Sequence, residues 1–211
     1  MQFPNARILI FAKAPQPGKV KTRLISRLGE AGASEFHEAC IRHSVERRSG
    51  ANLAPVVLYA TPDATAPFFK ELTIDYPIQL ADQQGSGLGE RMLSAARESL
   101  QSADAVLLTG TDAPALLNTH LQQALTRLQE GADVVMQPAS DGGYVMLGAR
   151  CAYPELFEDM PWGGDEVARL TRERCRLLEL DLFELPLCWD IDRSEDYDRL
   201  LAQGGLSTFR D

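Results

Sequence analysis

Short apolar runs alternate with helix-compatible segments along this chain, and this alternation limits the fold more than any other feature of the sequence. The run at residues 105–109, AVLLT, is almost entirely apolar, which is typical of a strand buried on both faces of a parallel sheet. Regular alternation of strands and helices predicts a three-layer α/β/α sandwich built on a mainly parallel sheet. The predicted strands are residues 8–12, 55–60, 77–81, 105–109, 133–137, 144–148 and 178–185, and the predicted helices are residues 22–28, 33–48, 65–72, 90–100, 118–129, 165–176 and a last one from residue 194.

The size and charge of the chain limit its domain count and its partners. With 211 residues, 45% of them hydrophobic, the chain can bury one full core, so we expect residues 1–211 to form a single domain. A net charge of −9 argues against a nucleic-acid or anionic-membrane surface, because both require a net basic face. Any polyanion that binds here should therefore be small and held locally. The sequence does not indicate an oligomeric state.

The N-terminal apolar run is too short to direct the chain into a membrane. It spans only a strand's length between Arg7 and Lys13, so it lacks the apolar region of a signal peptide or of a membrane span. We therefore expect a cytoplasmic protein without stable membrane insertion. The cysteines form no C-x-x-C pair, and we expect them to be reduced thiols rather than zinc ligands.

A basic loop follows the first predicted strand. Residues 1–29 contain six Lys and Arg residues and no Asp or Glu, although the whole chain is acidic. Ligands of α/β sheets bind at the carboxyl ends of the strands, so this position favours a phosphate-binding loop over a solvated basic surface loop. Its spacing is neither that of a Walker loop nor the G-x-G-x-x-G of dinucleotide folds. The cations of the loop are Lys13, Lys19, Lys21 and Arg23, with Gly18 among them.

Carboxylates lie at the ends of two later strands. Asp112 follows the most apolar strand, and Asp190 and Asp192 follow the last one. If a nucleotide diphosphate lies against the basic loop, a divalent cation needs an oxygen ligand here, and Mg²⁺ usually takes one or two carboxylates together with phosphate oxygens. The position of Asp112 therefore favours a metal ligand over a turn residue. For Asp190 and Asp192, the spacing leaves a metal ligand and a capping cluster before the last helix equally open.

Glycine-rich segments leave both a structural and a functional interpretation open. Asp141-Gly142-Gly143 is an ordinary hairpin signal, but its two glycines also allow a close contact between the backbone and a sugar. Residues 85–89 form either a flexible connection or a loop against a base and ribose. Trp162-Gly163-Gly164 is typical of a mobile lid. Asp165 after it is either a base that faces the cleft or, as first-turn acids commonly are, a helix-capping residue.

A set of motifs, taken in chain order, carries a resemblance to a known family. FAKAPQPGKVKTRL, GLGERM, LLTGTDAPAL, SDGGYVMLG, MPWGGDEV and DIDRSEDY resemble the motifs of a bacterial family of small GT-A-fold transferases. Its members are described as radical-SAM/selenodomain-associated transferases or arsenosugar-biosynthesis glycosyltransferase-like proteins. The match runs from residue 8 to about residue 200. More distantly, the chain is similar to nucleotidyltransferases of the molybdopterin-guanine-dinucleotide and phospholactate-guanylyl types, which share the fold and the final D-x-D-x-x-E-D.

The resemblance implies a nucleotide-diphospho-sugar transferase fold of the GT-A, Rossmann-like type. It also implies that the basic loop contacts phosphates, that residues 85–89 lie near the base, and that Asp112 binds the metal, with Asp190 or Asp192 as a further metal or diphosphate contact. One departure is that Gly163-Gly164 replaces an expected Ser-Thr, which removes two hydroxyls that an acceptor contact or a helix cap would use. The nucleotide- and phosphate-binding residues expected on this basis are Ala12, Lys13, Pro17, Gly18, Lys19, Lys21, Arg23, Gly87, Leu88 and Gly89.

Three functions fit these residues, and we favour the first. It is a metal-dependent glycosyltransferase that uses Mg²⁺ or Mn²⁺ to move a sugar from a nucleotide-diphospho-sugar to the hydroxyl of a small-molecule acceptor. The second is a nucleotidyltransferase, in which an NTP reacts with a sugar phosphate or phospho-acid and releases pyrophosphate. The third is a nucleotide-binding protein without turnover. The expected catalytic residues are Lys21, Arg23, Asp141 and Asp165, the expected sugar contacts are Asp141, Gly142, Gly143 and Trp162, and the expected metal ligands are Asp112, Asp190 and Asp192.

Overall fold

A continuous sheet of seven strands forms the centre of the computed structural model, which describes residues 1–209. Helices cover both faces of this sheet. The strands are β1 Ala6–Lys13, β2 Val56–Thr61, β3 Ile78–Asp82, β4 Ala105–Thr109, β5 Val134–Pro138, β6 Tyr144–Ala149 and β7 Leu182–Glu184. The helices are α1 Ile25–Gly50, α2 Pro67–Asp75, α3 Leu88–Ser99, α4 Asn118–Glu130, α5 Val167–Leu177 and α6 Ser194–Ala202, and 3₁₀ turns lie at Thr22–Leu24, Pro154–Leu156 and Leu206–Thr208.

The strand order of the sheet is β3-β2-β1-β4-β6-β5-β7. β1 pairs in parallel with β2 on one side and with β4 on the other, whereas β6 runs antiparallel to both β4 and β5. The predicted α/β fold with a mainly parallel sheet is therefore confirmed. The chain moves outward from β1 to β3 on one side and continues with β4 on the other. This reversal creates a topological switch point between β1 and β4.

Two apolar cores, one on each face of the sheet, hold the layers together. Side chains alternate along β1, so that Ile8 and Ile10 face the core with α1, α2 and α4, whereas Leu9 faces the core with α3 and α5. All three side chains are fully buried. Burying a Leu or Ile side chain contributes about 1.5–3 kcal/mol, so strands of this composition hold the sheet between the helices.

The structure differs from the sequence prediction at several element boundaries. The two helices predicted for residues 22–28 and 33–48 correspond to a 3₁₀ turn followed by α1, which Gly29 divides into two helical segments that meet at a kink. At Gly29 φ is 71° and ψ is 171°, a conformation that glycine adopts at little cost, so the first helical segment ends there and a second begins after the kink. α5 begins at Val167 rather than at residue 165, so the two acids before it lie outside the helix.

The cysteines are free thiols, of which Cys40, Cys175 and Cys188 are buried and Cys151 is exposed. Burial raises the pKa of the Cys40 thiol to about 12, so this group stays protonated at neutral pH. A separate observation concerns the helices: within residues 1–209, none combines the length and the apolar character needed to cross a membrane.

Candidate functional site

Three loops meet at the carboxyl ends of β1 and β4. Residues 14–21 follow β1 and residues 110–112 follow β4, and these loops are neighbours because the two strands pair in parallel. The third loop, residues 190–192, precedes α6, and the amide of Ile191 donates a hydrogen bond of 2.8 Å to the backbone oxygen of Asp112. The three loops therefore meet at the topological switch point, here called the crevice, which is where open α/β sheets bind their ligands.

Lys21 joins the three loops through its ammonium group. Its side chain is only 4% exposed, and Nζ lies 3.0 Å from Asp112 Oδ1 and also donates a hydrogen bond to the backbone oxygen of Ile191. Burial lowers the pKa of Lys21, but the neighbouring acidic groups, Asp112 first, more than offset this effect, so the pKa is raised overall. Lys21 therefore stays charged and links the basic loop to both acidic loops. Lys21 was predicted to contact phosphate, but its ammonium group already has two partners within the protein, Asp112 and the backbone oxygen of Ile191.

The other cations of the basic loop lie at the rim of the crevice. Lys13 Nζ donates a hydrogen bond of 2.8 Å to the backbone oxygen of Lys19, which closes the loop on itself. Arg23 pairs with Asp192. The ring of His37, on α1, contacts the backbone oxygen of Lys13 at 2.9 Å, and burial lowers the pKa of His37, so a neutral imidazole supports this end of β1. Lys13, Lys19 and Arg23 are exposed.

The acidic wall of the crevice contains Asp112, Asp141 and Asp190. Burial, followed by the charges of Asp141 and Asp112, raises the pKa of Asp190 to about 6. Asp190 therefore lies close enough to Asp141 and to Asp112 to be repelled by both, although the three carboxylates come from different loops. Repulsion of this kind marks a place that favours an added positive charge.

The predicted metal ligands do not form a closed protein cage. Among the residues that the structure describes, no group of three or more His, Cys, Asp or Glu side chains is arranged to hold a metal ion. Asp112 and Asp190 nevertheless suit Mg²⁺ or Mn²⁺, because these hard cations bind oxygen and usually take only one or two carboxylates besides phosphate oxygens and water. Asp112 is 47% exposed and keeps part of its carboxylate open beside Lys21. Asp192 is already neutralised by Arg23, which makes it the least suited of the three.

The glycine loop that is predicted to contact a base leads directly into α3. Gly87 precedes the helix, and Leu88 and Gly89 are its first residues. Gly89 packs closely against the opposite wall, since a Cβ there would lie 2.5 Å from the backbone oxygen of Phe157 and 2.6 Å from Trp162 Nε1. Glycine at position 89 therefore allows the segment that carries Trp162 to lie against the predicted nucleotide loop.

The Asp141-Gly142-Gly143 segment forms the predicted turn between β5 and β6. Asp141 Oδ1 accepts a hydrogen bond of 2.9 Å from the Gly143 amide. Gly142 has a φ of 93°, and a Cβ there would lie only 2.1 Å from the backbone oxygen of Asp165. The oxygen of Gly142 also accepts a hydrogen bond of 2.9 Å from Ala168 in α5. The close contact between Gly142 and the backbone of Asp165 therefore requires glycine at position 142. The side chain of Asp165 takes no part in this contact and is exposed.

Gly142→Ala is expected to lower the free energy of unfolding by about 3 kcal/mol or more, because the added Cβ collides with Asp165 and the left-handed backbone strains an L side chain. Gly143→Ala is the matched control, since a Cβ there meets only the Asp141 carboxylate, at 3.2 Å, and no positive φ is involved. Denaturant unfolding followed by circular dichroism measures both variants. Equal losses of stability would contradict the close approach of Gly142 to Asp165.

An apolar cavity of about 260 Å³ lies beside the crevice. Two ring contacts order its walls: Phe11 stacks on Tyr59 with centroids 5.5 Å apart, and Tyr144 meets Trp162 edge-to-face at 6.2 Å. The Tyr144 hydroxyl is buried without a hydrogen-bond partner in residues 1–209, and burial raises its pKa. The residues that line the cavity are Phe11, Leu88, Met92, Leu108, Thr109, Gly110, Asp141, Gly143, Tyr144, Val145, Trp162, Gly163, Gly164 and Val167.

Phe11 and Tyr144 are absent from the predicted site, although each lies next to a residue that is part of it. Phe11 precedes Ala12, and Tyr144 follows Gly143. Alternation along a strand places Phe11 on the same face as Leu9, and this signal indicates the correct side of the sheet. It does not indicate which helix covers that face, so the cavity follows only from the packed structure.

The fold and the crevice together define the class of this protein. Its mostly parallel sheet with flanking helices is that of nucleotide-diphospho-sugar transferase structures. The chain belongs to the bacterial family described as "Uncharacterized protein conserved in bacteria (DUF2064)", whose sequence model matches residues 44–164. A comparison with curated proteins gives no match.

Solved structures show how widely this fold is shared. A "putative nucleotide-diphospho-sugar transferase" from Desulfovibrio desulfuricans G20 is 32% identical, with a TM-score of 0.87 over 98% of this chain and 90% of that one. A CMP:2-keto-3-deoxy-manno-octonic acid synthetase complexed with CTP is 12% identical, with a TM-score of 0.60 over 94% and 99%. Glucosyl-3-phosphoglycerate synthase from Mycobacterium tuberculosis, in complex with Mn²⁺, UDP and phosphoglyceric acid, is 13% identical, with a TM-score of 0.56 over 97% and 77%. The similarity to the last two structures supports the fold alone. None of the three structures supports the narrower subfamilies that the sequence motifs resemble.

Proposed function

We propose that this protein is a transferase that binds a nucleotide diphosphate in the crevice, and that it moves a sugar from a nucleotide-diphospho-sugar to a small-molecule acceptor with the help of Mg²⁺ or Mn²⁺. One observation carries the proposal: Lys21 ties a basic loop to two acidic loops at the switch point of the sheet. Such a site offers cations to phosphate oxygens and carboxylates to a divalent cation. The relative from Desulfovibrio desulfuricans, described in terms of the same donor class, supports this choice.

In this proposal the basic loop holds the diphosphate of the donor. Lys13, Lys19 and Arg23 are exposed at the rim and contact phosphate oxygens, while Lys21 fixes the position of the loop. As the bond to the sugar breaks, negative charge develops on the departing nucleotide diphosphate, and cations already in place stabilise it without reorganisation. Asp112 and Asp190 would hold a divalent cation, which would supply Lewis-acid stabilisation of the same charge.

Asp141 is the residue that we propose as the general base for the acceptor hydroxyl. Its carboxylate is held at the turn by the Gly143 amide and lies close enough to Asp190 to raise the pKa of that group. A general base must be within hydrogen-bond reach of the proton that it removes, and Asp141 lies near Asp190, which we propose as a ligand of the cation at the diphosphate. Asp165, the other predicted base, touches the hairpin through its backbone, so we propose a supporting role for it.

A nucleotidyltransferase is the second candidate, and the number of cations at the crevice favours it. Lys13, Lys19 and Arg23 surround the site in addition to Lys21, and a triphosphate carries more negative charge than a diphosphate does. In that reaction an oxygen of a sugar phosphate or phospho-acid attacks the α-phosphorus of an NTP, and pyrophosphate leaves.

Donor binding and product release distinguish the two reactions. With Mn²⁺ present, we expect one of UDP-, GDP- or dTDP-sugars at about 100 times its Kd to raise the Tm by roughly 5–10 °C. Differential scanning fluorimetry measures this shift, and a nucleotide-diphosphate release assay with a panel of hydroxyl acceptors measures turnover. Stabilisation by an NTP together with pyrophosphate release would instead establish the second candidate. Binding without turnover across both panels would leave a nucleotide-binding protein.

A further inference from the structure

The apolar cavity beside Asp141 is lined partly by predicted sugar and nucleotide contacts, Leu88, Asp141, Gly143 and Trp162, but its mainly apolar walls suit an acceptor better than a donor sugar. We propose that this cavity, here called the aromatic pocket (Phe11, Met92, Tyr144, Val145, Trp162 and Val167), binds a hydroxyl compound with an apolar, ring-sized body. This inference rests on the proposed glycosyl transfer and names its acceptor class.

The walls of the aromatic pocket are mainly apolar, and the polar groups among its lining residues are the Asp141 carboxylate, the Thr109 hydroxyl and the backbone of four glycines. Thr109 also lines the cavity, but its hydroxyl donates to the backbone oxygen of Leu9 at 3.5 Å. The Tyr144 hydroxyl is inaccessible even to water, so it does not face the open space. A sugar or another polyol would leave hydroxyls unpaired against the aromatic and aliphatic walls, which is unfavourable. The walls therefore select against a polyol and in favour of an apolar ring.

The volume of the aromatic pocket fits one substituted ring. At about 260 Å³ it exceeds the roughly 150 Å³ of an engineered apolar cavity that binds benzene, and it lies below the 300–1,000 Å³ typical of drug-sized ligands. Phe11 is held by its stack on Tyr59, and Trp162 by its edge-to-face contact with Tyr144. Aromatic walls of this kind favour a bound ring beyond the area that is buried, because ring pairs have preferred contact geometries.

Asp141 connects the aromatic pocket to the proposed chemistry. It lines the cavity and also interacts electrostatically with Asp190, which in turn interacts with Asp112. A ring held in the pocket therefore presents its hydroxyl between Asp141 and the donor. The hydroxyl oxygen forms a bond to the anomeric carbon of the sugar, and its proton passes to Asp141. The bond from the anomeric carbon to the diphosphate oxygen breaks, and its electron pair leaves with the nucleotide diphosphate.

¹⁹F NMR of the protein labelled with 5-fluorotryptophan tests the pocket in the absence of nucleotide. The chain has two tryptophans, Trp162 in the aromatic pocket and Trp189 in a separate apolar cluster with Ile191 and Leu200. One spectrum therefore contains both a probe and an internal control, and Trp162→Phe assigns the signals. We expect p-cresol to shift the Trp162 resonance in a saturable way and to leave the Trp189 resonance unchanged. Glucose at the same concentrations should shift neither.

Val167→Phe is the variant that fills the pocket. Val167 is buried in the wall of the cavity, so we expect the larger ring to weaken p-cresol binding by at least about tenfold. Leu177→Phe, at an exposed position of the same helix, is the matched control and should leave the affinity unchanged. If Val167→Phe fails to fold, Val167→Ala provides a second test. In this variant the cavity is larger, so the ratio of the Kd for p-cresol to the Kd for 4-ethylphenol should be about fourfold higher than in the wild type. About fourfold in affinity corresponds to one buried methylene group.

The outcomes separate this inference from the proposed function. Equal binding of glucose and p-cresol, or no shift of the Trp162 resonance, would overturn the aromatic pocket as a site for apolar rings. Displacement of p-cresol by UDP or GDP alone would assign the cavity to the nucleotide, so the inference would be wrong while the proposed transfer stands. If p-cresol binds as expected but no nucleotide binds, the ring site is supported, and the proposed function is overturned together with the acceptor role.

Discussion

Lys21→Met is expected to weaken the binding of a nucleotide diphosphate by at least about tenfold and to lower the free energy of unfolding by about 1–3 kcal/mol. Methionine keeps the length of the side chain but removes the ammonium group. Asp112 then loses a partner at 3.0 Å, and the backbone oxygen of Ile191 loses a donor. Because Lys21 is almost fully buried, water does not readily replace either contact. Isothermal titration calorimetry with UDP or GDP and Mn²⁺ measures the first effect, and urea unfolding measures the second.

Lys19→Met is the matched control for the loss of a charge. Lys19 belongs to the same loop but is exposed, so its removal should weaken binding only about twofold to threefold at low salt. At 1 M salt the screening length falls to about 3 Å, and the Lys19→Met effect should disappear. The Lys21→Met effect should persist there, since its cause is the loss of buried contacts that position three loops. Equal effects of the two variants at every salt concentration would contradict this role of Lys21.

Much of the fold could be predicted because burial leaves a direct trace in the sequence. The apolar run of β4 is buried along its whole length, as a central strand requires. The turn at Asp141-Gly142-Gly143 also predicts that β5 and β6 form a hairpin. It does not predict that β6 lies between β4 and β5. That order depends on a contact between distant segments, since Gly148 lies so close to Leu107 that a Cβ would approach Leu107 Cδ2 to 2.5 Å.

The sequence predicts which charged residues lie at the candidate site better than it predicts which of them form ion pairs. A basic loop after β1 and acids at later strand ends are visible in the sequence, and the fold brings them together. Which ammonium group is buried depends on the backbone at Lys21, where φ is 46°, a conformation that residues other than glycine seldom adopt. No local pattern signals this turn. The aromatic pocket was missed for a similar reason, because Phe11 and Tyr144 come from strands that are separated by β4 in the sheet.

The negative charge of Asp112 is expected to be needed for the effect of Mn²⁺ on nucleotide binding. Asp112→Asn is expected to abolish the strengthening of nucleotide binding by Mn²⁺ and to lower the rate of transfer by about 100-fold or more. Asparagine is nearly isosteric and keeps an oxygen that accepts a hydrogen bond from Lys21, so the three loops should stay in place. The Tm should fall by several degrees, because the buried Lys21 ammonium group loses its charged partner. Calorimetric titration of UDP or GDP, with Mn²⁺ and then with EDTA, measures the cation-dependent part of the affinity directly.

Asp192→Asn is the control that shows whether this effect belongs to Asp112 or to the neighbouring carboxylate that pairs with Arg23. Asp192 pairs with Arg23 at an exposed position, so its removal should change nucleotide binding only slightly and to the same extent with Mn²⁺ as with EDTA. Lys21 already engages one oxygen of Asp112, so a cation held there needs the other oxygen and the carboxylate of Asp190. Asp190→Asn should therefore reproduce the loss seen with Asp112→Asn. If Asp192→Asn abolished the Mn²⁺ effect while Asp112→Asn preserved it, the cation would lie at the Arg23 rim, and the assignment to Asp112 would be wrong.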